Sequence, residues 1–193
     1  MNSLSPQALL MTIDLQQAID DPSWGERNNP QAEDNIFRLL EFWRNHKQPI
    51  LHVKHMSTEP NSLYRPGQIG NKFKPVIQPK ANEEIVEKKT NSAFIRTNLE
   101  QKLREQKIAE IVMVGVITNN SVEATARMSA NLGFRTIVVS DGTFTFGKHD
   151  YVGNWRTAEE VHNMSLANLS GEYAEIYSAF EVLALRSPVS QFK

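Results

Sequence analysis

Cysteine is absent from this chain of 193 residues, and its absence excludes several kinds of chemistry. Without a thiol there is no disulfide, no thiolate metal site and no cysteine nucleophile. Long apolar runs are absent too, since no uncharged apolar stretch reaches the roughly 18 residues that a membrane-spanning helix needs. Residues 1–16 lack the basic and apolar segments of a signal peptide. We therefore expect a cytoplasmic protein without a membrane partner.

A charge surplus is also missing, because the formal net charge is -1. Such a balance gives no support for binding to nucleic acid or to an anionic membrane. Hydrophobic residues make up 40% of the chain and charged residues 22%, which is ordinary for a soluble globular protein. No repeat or linker divides the sequence, so we expect one domain over residues 1–193, acting on or binding a small molecule.

Short apolar runs typical of buried strands alternate with stretches of helical period. Strands are predicted at residues 8–14, 49–53, 84–87, 108–116, 135–140 and 175–177. Helices are predicted at residues 31–45, 98–106, 120–132, 158–169 and 179–185, with Gly133 ending the third. This alternation predicts a Rossmann-like α/β fold, with a six-stranded, mostly parallel sheet between helices.

Three polar side chains follow predicted strands, namely Asp14, Lys88 and Ser121. In a parallel sheet with right-handed crossovers, all the carboxyl ends lie at one edge. If the strand order reverses between residues 8–14 and 108–116, then Asp14 and Ser121 flank the crevice where ligands bind. An acid, a base and a hydroxyl would then meet at one edge.

Each of these residues also has a plainer interpretation. Ser121, with Asn119 and Asn120 before it, is a preferred helix N-cap. A serine nucleophile needs an activating base, and no histidine adjoins Ser121 in sequence. Lys88 is next to a second lysine, so a solvated pair is the alternative to a catalytic lysine. Asp14 is either a general base or a carboxylate that orders the loop after its strand.

Metal binding is considered for His52 and His55 only. Side chains three apart on an extended segment point to opposite faces, which disfavours a shared metal. We expect no metal and no cofactor.

The segment that begins at His55 and ends at residue 82 is long for a plain connection, so it is a candidate cover or oligomer contact. In the helix at residues 158–169, we expect Val161, Met164, Ser165 and Leu169 to lie on one side and to form its buried face.

Several segments together resemble the isochorismatase-like (cysteine hydrolase) superfamily. Residues 9–16 resemble its opening strand followed by D-x-Q, and residues 88–94 resemble its K-x-x-x-S-A-F segment. Residues 115–127 resemble its signature G-V-x-T-x-x-C-V-x-x-T-A-R, with Ser121 at the position of the cysteine. These segments occur in order and at family-like spacing along nearly the whole chain.

The resemblance implies a three-layer α/β/α sandwich and a catalytic triad. By position, Asp14 matches the family's acid/base, Lys88 its lysine and Ser121 its nucleophilic cysteine. A non-proline cis peptide between Val116 and Ile117 is also implied. It would turn the N–H groups of Ile117 and Ser121 toward one oxyanion.

The substitution at Ser121 is where the chain departs from the family. We expect a hydrolase of a small amide or related C–N bond that uses Asp14 and Lys88, with Ser121 as nucleophile or as positioning hydroxyl. The alternatives are a catalytically silent binding protein and a cysteine-independent, isochorismatase-type vinyl-ether hydrolase. Asn119 and Asn120 are further candidates for contact with the substrate. The family also implies a homo-oligomer, either a dimer or a tetramer, which we expect to be built mainly by the segment from His55 to residue 82 and by the C-terminal helix.

Overall fold

The computed structural model describes residues 3–186. Its strands are β1 (Leu9–Ile13), β2 (Ile50–His55), β3 (Glu84–Lys88), β4 (Glu110–Val116), β5 (Arg135–Phe144), β6 (Lys148–His149), β7 (Trp155–Arg156) and β8 (Glu175–Tyr177). Its α-helices are α1 (Ala32–Asn45), α2 (Leu99–Glu105), α3 (Glu123–Asn131), α4 (Ala158–Leu169) and α5 (Ala179–Arg186). No helix in residues 3–186 is long and apolar enough to cross a membrane.

Six strands form one sheet in the order β3-β2-β1-β4-β5-β8, and every neighbouring pair is parallel. The prediction of a six-stranded, mostly parallel sheet is confirmed. The chain runs outward from β1 to β2 and β3, and then returns to β4 on the other side of β1. The strand order therefore reverses between β1 and β4, as the ligand-binding crevice requires. Strands β6 and β7 form a separate antiparallel hairpin.

Alternation of side chains along the central strands gives the sheet two buried faces. Leu10 contributes to one apolar cluster, which also contains the buried faces of α1 and α5. Its neighbours Leu9 and Met11 contribute to the second cluster, against α2, α3 and α4. This is the three-layer α/β/α sandwich that the sequence predicted.

The ends of β1 and β4 approach each other closely at Gly115, which pairs with Ile13 in register. A Cβ atom at Gly115 would lie 2.2 Å from the Ile13 carbonyl oxygen, and the residue has φ of +123°. Only glycine fits there without a shift of the backbone. The contact holds the loop after β1 beside the turn after β4.

Two predicted boundaries differ from the structure by more than two residues. Strand β5 does not end at Ser140 but continues through Asp141 and Gly142 to Phe144. Gly142 acts as a close-packing residue, since its Cβ would meet the side chains of Val114 and Val139 at 3.1 Å. The predicted helix at residues 120–132 begins instead with a π-helical turn, Thr118–Val122, which leads into α3.

The predicted apolar face of α4 is wrong at two positions. Met164 is 63% exposed, and Val161 is only partly buried. The buried face is formed by His162, Ser165, Leu166 and Leu169. This face is buried because His162 and Ser165 form hydrogen bonds with Thr118 in the turn after β4. At the end of α3, Gly133 has φ of +83° and caps the helix as predicted.

Candidate active site

Lys88 brings the three predicted site residues into contact. Its Nζ donates to Asp14 Oδ2 at 2.6 Å and to Ser121 Oγ at 3.2 Å. Asp14 directly follows β1, Lys88 ends β3, and Ser121 lies in the π-helical turn after β4. Strand β2 separates β1 from β3, so the long lysine side chain must reach past it. A basic side chain shorter than lysine, at the end of β3, would not reach Asp14 and Ser121.

The ammonium group of Lys88 is completely buried among acceptors. Its side chain has 0% exposure, and that of Asp14 has 6%. Besides Asp14 and Ser121, Nζ contacts the Thr90 carbonyl oxygen at 3.1 Å and His55 Nδ1 at 3.5 Å. Lys88 is therefore placed to stabilise negative charge on the groups around it.

Asp14 is held in an uncommon backbone conformation. Its φ is +51°, in the left-handed region that aspartate tolerates better than most residues. The Asp14 amide donates to the Val53 carbonyl at 3.1 Å, and its own carbonyl accepts from the Gln16 amide at 2.8 Å. These bonds aim the carboxylate at Lys88. Strained backbone of this kind is common at functional sites.

The two oxygens of the Asp14 carboxylate have different surroundings. Oδ2 is paired with Lys88, whereas Oδ1 is buried and accepts no hydrogen bond from residues 3–186. Burial raises the pKa of the Asp14 carboxyl, and the Lys88 ammonium and the Ser121 hydroxyl oppose that rise. A carboxyl with a raised pKa in the lining of a cavity is well placed to exchange a proton with a bound molecule.

Ser121 lies on the first turn of helix after β4, and its side chain is buried. The peptide bond between Val116 and Ile117 is cis, as the family resemblance implied. The Ile117 carbonyl accepts from the amides of Asn120 and Val122, at 3.0 and 3.3 Å. This geometry places Ile117, Asn120 and Ser121 along one wall of a cavity.

The cavity has a volume of about 360 Å³ and contains Asp14 and Ser121 in its lining. Trp24, Leu63 and Tyr64 contribute apolar surface. No lysine or arginine is among the described residues that line it. The lining is thus mainly uncharged, and it includes Asp14, the carboxylate of the buried ion pair.

Part of the long segment after β2 covers this cavity. Residues 61–64 form part of its wall, so the expected covering role is supported for that stretch. Gln16 fixes the start of the segment, because its Nε2 donates to the carbonyls of His55 and Asn71, both at 3.0 Å. Asn71 in turn donates to the Tyr64 carbonyl at 2.7 Å. Gln16 belongs to the D-x-Q motif of the sequence, but its hydrogen bonds to the segment after β2 were not predicted.

Asn119 and Asn120 have different positions, although both were candidates for substrate contact. Asn120 lines the cavity. The side-chain oxygen of Asn119 accepts from Thr145 Oγ1 at 2.6 Å, and Asn119 lines two neighbouring grooves instead. The structure does not bring Asn119 to the cavity that contains Asp14.

The two candidate metal-binding histidines point in different directions. His52 is fully buried between Thr12 Oγ1, at 2.8 Å, and Glu83 Oε2, at 2.9 Å. His55 lines the cavity and contacts Lys88. Within residues 3–186, no group of three or more histidine or acidic side chains is arranged to hold a metal ion. In the sequence, His55 is a candidate for metal binding only. Its position in the cavity beside Lys88 was not predicted.

An α/β sheet whose strand ends bring together an aspartate, a lysine and a hydroxyl defines a candidate hydrolase site. Residues 7–179 match the family model for the isochorismatase domain. The chain belongs to the isochorismatase family.

Individual relatives agree with this assignment. An uncharacterized isochorismatase family protein of Bacillus subtilis, YrdC, is 41% identical over 174 residues, covering 90% of this chain and 93% of the relative. Nicotinamidase 3 of Arabidopsis thaliana is 30% identical, covering 86% of this chain and 82% of the plant protein. The crystal structure of an isochorismatase-family protein from Chromobacterium violaceum superimposes with a TM-score of 0.93 at 52% identity, covering 96% of both chains.

Proposed function

We propose that this isochorismatase-family hydrolase acts on a small, uncharged amide or related C–N bond through Asp14, Lys88 and Ser121. The observation that carries the proposal is their convergence: Lys88 Nζ lies within 3.2 Å of the side chains of Asp14 and Ser121, and both of these residues line a cavity. Groups that share proton transfer and charge stabilisation must lie within such distances.

In this mechanism Ser121 Oγ attacks the amide carbonyl carbon while its proton passes to Asp14. Asp14 then gives the proton to the leaving amine as the C–N bond breaks. Water attacks the resulting ester of Ser121, which releases the carboxylic acid and restores the hydroxyl. The Lys88 ammonium offsets negative charge at Asp14 and at the attacking oxygen. Backbone N–H groups of Ile117 and Ser121 stabilise the oxyanion, and Asn120 contacts the substrate.

The charge of the cavity favours an uncharged substrate over isochorismate. Isochorismate carries two carboxylates, which proteins normally bind with arginine or lysine. The described lining of the cavity has neither, and the positive charge of Lys88 is already paired with Asp14. A volume of about 360 Å³ also suits a small ligand. Vinyl-ether hydrolysis is thus the less favoured alternative.

The test is a panel of small amides and N-carbamoyl compounds, with ammonia release as the readout. Nicotinamide enters the panel because a relative is a nicotinamidase, and isochorismate enters as the charged comparison. Wild type should release ammonia from at least one uncharged amide, and Asp14→Asn should lower kcat/KM by about 10²- to 10⁴-fold. The matched control is Asp34→Asn, at an exposed position on α1.

Two results would overturn the proposal. One is equal activity in wild type and Asp14→Asn. The other is a rise in melting temperature with ligands that are never consumed, which is the behaviour of a catalytically silent binding protein.

We also propose a homo-oligomer, which is the assembly that the sequence predicted. Large apolar side chains are exposed on the segments expected to form it: Ile69 after β2 is 72% exposed, and Phe180 on α5 is 80% exposed. Tyr151, in the β6–β7 hairpin, is fully exposed. Light scattering at low protein concentration should give a dimer or tetramer, and Phe180→Ser should weaken it. A wild-type monomer would contradict this proposal.

A further inference from the structure

We propose that His55 binds the substrate, donating a hydrogen bond from Nε2 into the cavity while its unprotonated Nδ1 faces the Lys88 ammonium. This role rests on the hydrolase function proposed above. It adds a fifth polar side chain to Asp14, Lys88, Ser121 and Asn120.

The backbone of His55 is fixed on both sides by one side chain. Gln16 Oε1 accepts from the His55 amide at 2.7 Å, and Gln16 Nε2 donates to the His55 carbonyl at 3.0 Å. Asn71 Nδ2 donates to the same carbonyl, also at 3.0 Å. The edge of the His55 ring packs against Tyr64, with 5.6 Å between ring centroids. A side chain held this firmly suits ligand recognition, because little entropy is lost on binding.

The position of Lys88 decides which ring nitrogen carries the hydrogen. Its ammonium lies 3.5 Å from Nδ1, a long contact for a hydrogen bond. A hydrogen on Nδ1 would point at this cation and be repelled, so Nδ1 is the acceptor and Nε2 carries the hydrogen. Burial lowers the pKa of His55, Lys88 lowers it further, and Asp14 opposes both. The ring is therefore neutral near pH 7.

The Nε2–H group has no partner within the described chain. No hydrogen bond joins His55 Nε2 to any of residues 3–186, although the ring lines the cavity. The cavity thus presents the Nε2–H donor of His55 to its ligand, with Asp14 in the same lining. A substrate that fits must offer an acceptor to His55, as the carbonyl oxygen of an amide does.

Two amide substitutions separate the two ring nitrogens. His55→Gln places its amide near the position of Nε2 and keeps a cavity donor, whereas His55→Asn places its amide near Nδ1 and removes that donor. With the best amide of the panel, we expect His55→Asn to raise KM about five- to tenfold, the loss of one neutral hydrogen bond. His55→Gln should stay within about twofold. His46→Asn, at an exposed histidine on the far end of α1, is the control.

The tautomer is measured without any substrate. Nitrogen NMR of the full chain labelled in its five histidines shows which nitrogen of each ring is protonated, and the His55→Gln spectrum assigns the signal. We expect Nε2–H with a bare Nδ1 at neutral pH. An Nδ1–H tautomer or a charged ring would overturn the proposal, as would equal KM in His55→Asn and His55→Gln. If wild type hydrolyses nothing, the substrate role of His55 falls with the proposed function, while the spectrum still decides the tautomer.

Discussion

The Lys88 ammonium and the Asp14 carboxylate form an ion pair of 2.6 Å in which both side chains are buried. Each charge compensates the other where both side chains have little contact with solvent. Removal of one partner leaves the other buried and unpaired, which typically costs about 3–5 kcal/mol. Removal of both is far less costly when the replacements are uncharged and similar in shape.

The first prediction separates the structural part of this pair from its catalytic part. Lys88→Met should lower the free energy of unfolding by about 3–5 kcal/mol, because it strands the Asp14 carboxylate. Asp14→Asn combined with Lys88→Met should recover most of that stability and still lack activity. Urea unfolding of the single and double variants measures the coupling.

The neighbouring lysine provides the control for this experiment. Lys89 is exposed, so Lys89→Met should change neither stability nor turnover. If Lys88→Met is no less stable than Lys89→Met, then the loss of Lys88 does not leave an unpaired buried charge at Asp14.

The second prediction uses the absence of cysteine. In Ser121→Cys the new thiol is the only one in the chain, so alkylation reports on it alone. Lys88 Nζ lies 3.2 Å from the Ser121 oxygen, and a cation at that distance should lower the thiol pKa below its usual ~8.5. The rate of reaction with iodoacetamide against pH should have its midpoint below that value.

Two further variants sharpen the thiol measurement. Ser170→Cys, at an exposed position beyond α4, should titrate near the ordinary pKa of ~8.5. Adding Lys88→Met to Ser121→Cys should raise the midpoint. Equal midpoints in the Ser121→Cys and Ser170→Cys variants would show that the site does not activate a nucleophile through Lys88.

The sequence predicted the sheet and the three polar residues at its edge because these depend on local pattern. A buried strand such as β4 is an apolar run, and the residue that ends it is visible at once. The crossover rules place all the strand ends at one edge. The reversal of strand order between β1 and β4 was a condition taken from Rossmann-like sheets, and under that condition Asp14 and Ser121 lie at the same crevice.

Other features depend on contacts that no local pattern contains. The reach of Lys88 past β2 follows from side-chain length in three dimensions. Tyr64 belongs to a segment with no periodicity, so its place on the cavity wall was not predictable. Asp141 and Gly142 have the composition of a turn, yet close packing of Gly142 on Val114 and Val139 keeps them in β5.

The third prediction concerns acid stability at Glu83. Burial alone would raise the pKa of Glu83, but bonds from Arg44, the Lys80 amide and His52 outweigh it and lower the pKa to about 2. A carboxylate with a depressed folded pKa contributes stability above its ordinary 4.5 and loses it as pH falls toward 2. Glu83→Gln should therefore be less stable by about 3 kcal/mol at pH 7.

The pH series distinguishes this charge effect from a packing defect. The stability gap between wild type and Glu83→Gln should narrow as pH falls from 4.5 toward 2, whereas a packing defect would persist. Exposed Glu87, on the same strand β3, gives the control Glu87→Gln, for which no gap is expected. A gap at Glu83 that is constant with pH would contradict the assignment.

The last prediction concerns Gln16, whose fully buried amide joins the end of β2 to the cavity cover. Gln16→Met keeps the length of the side chain but loses its bonds to His55 N, His55 O and Asn71 O. At about 1 kcal/mol per bond, the cost should be about 2–3 kcal/mol. Hydrogen exchange should accelerate at the His55 amide and through residues 61–71, because the cover then opens more easily.

Gln17→Met is the control, since Gln17 makes one long bond of 3.4 Å to the Phe73 carbonyl. Equal exchange in the two variants would mean that the cover is held by other contacts.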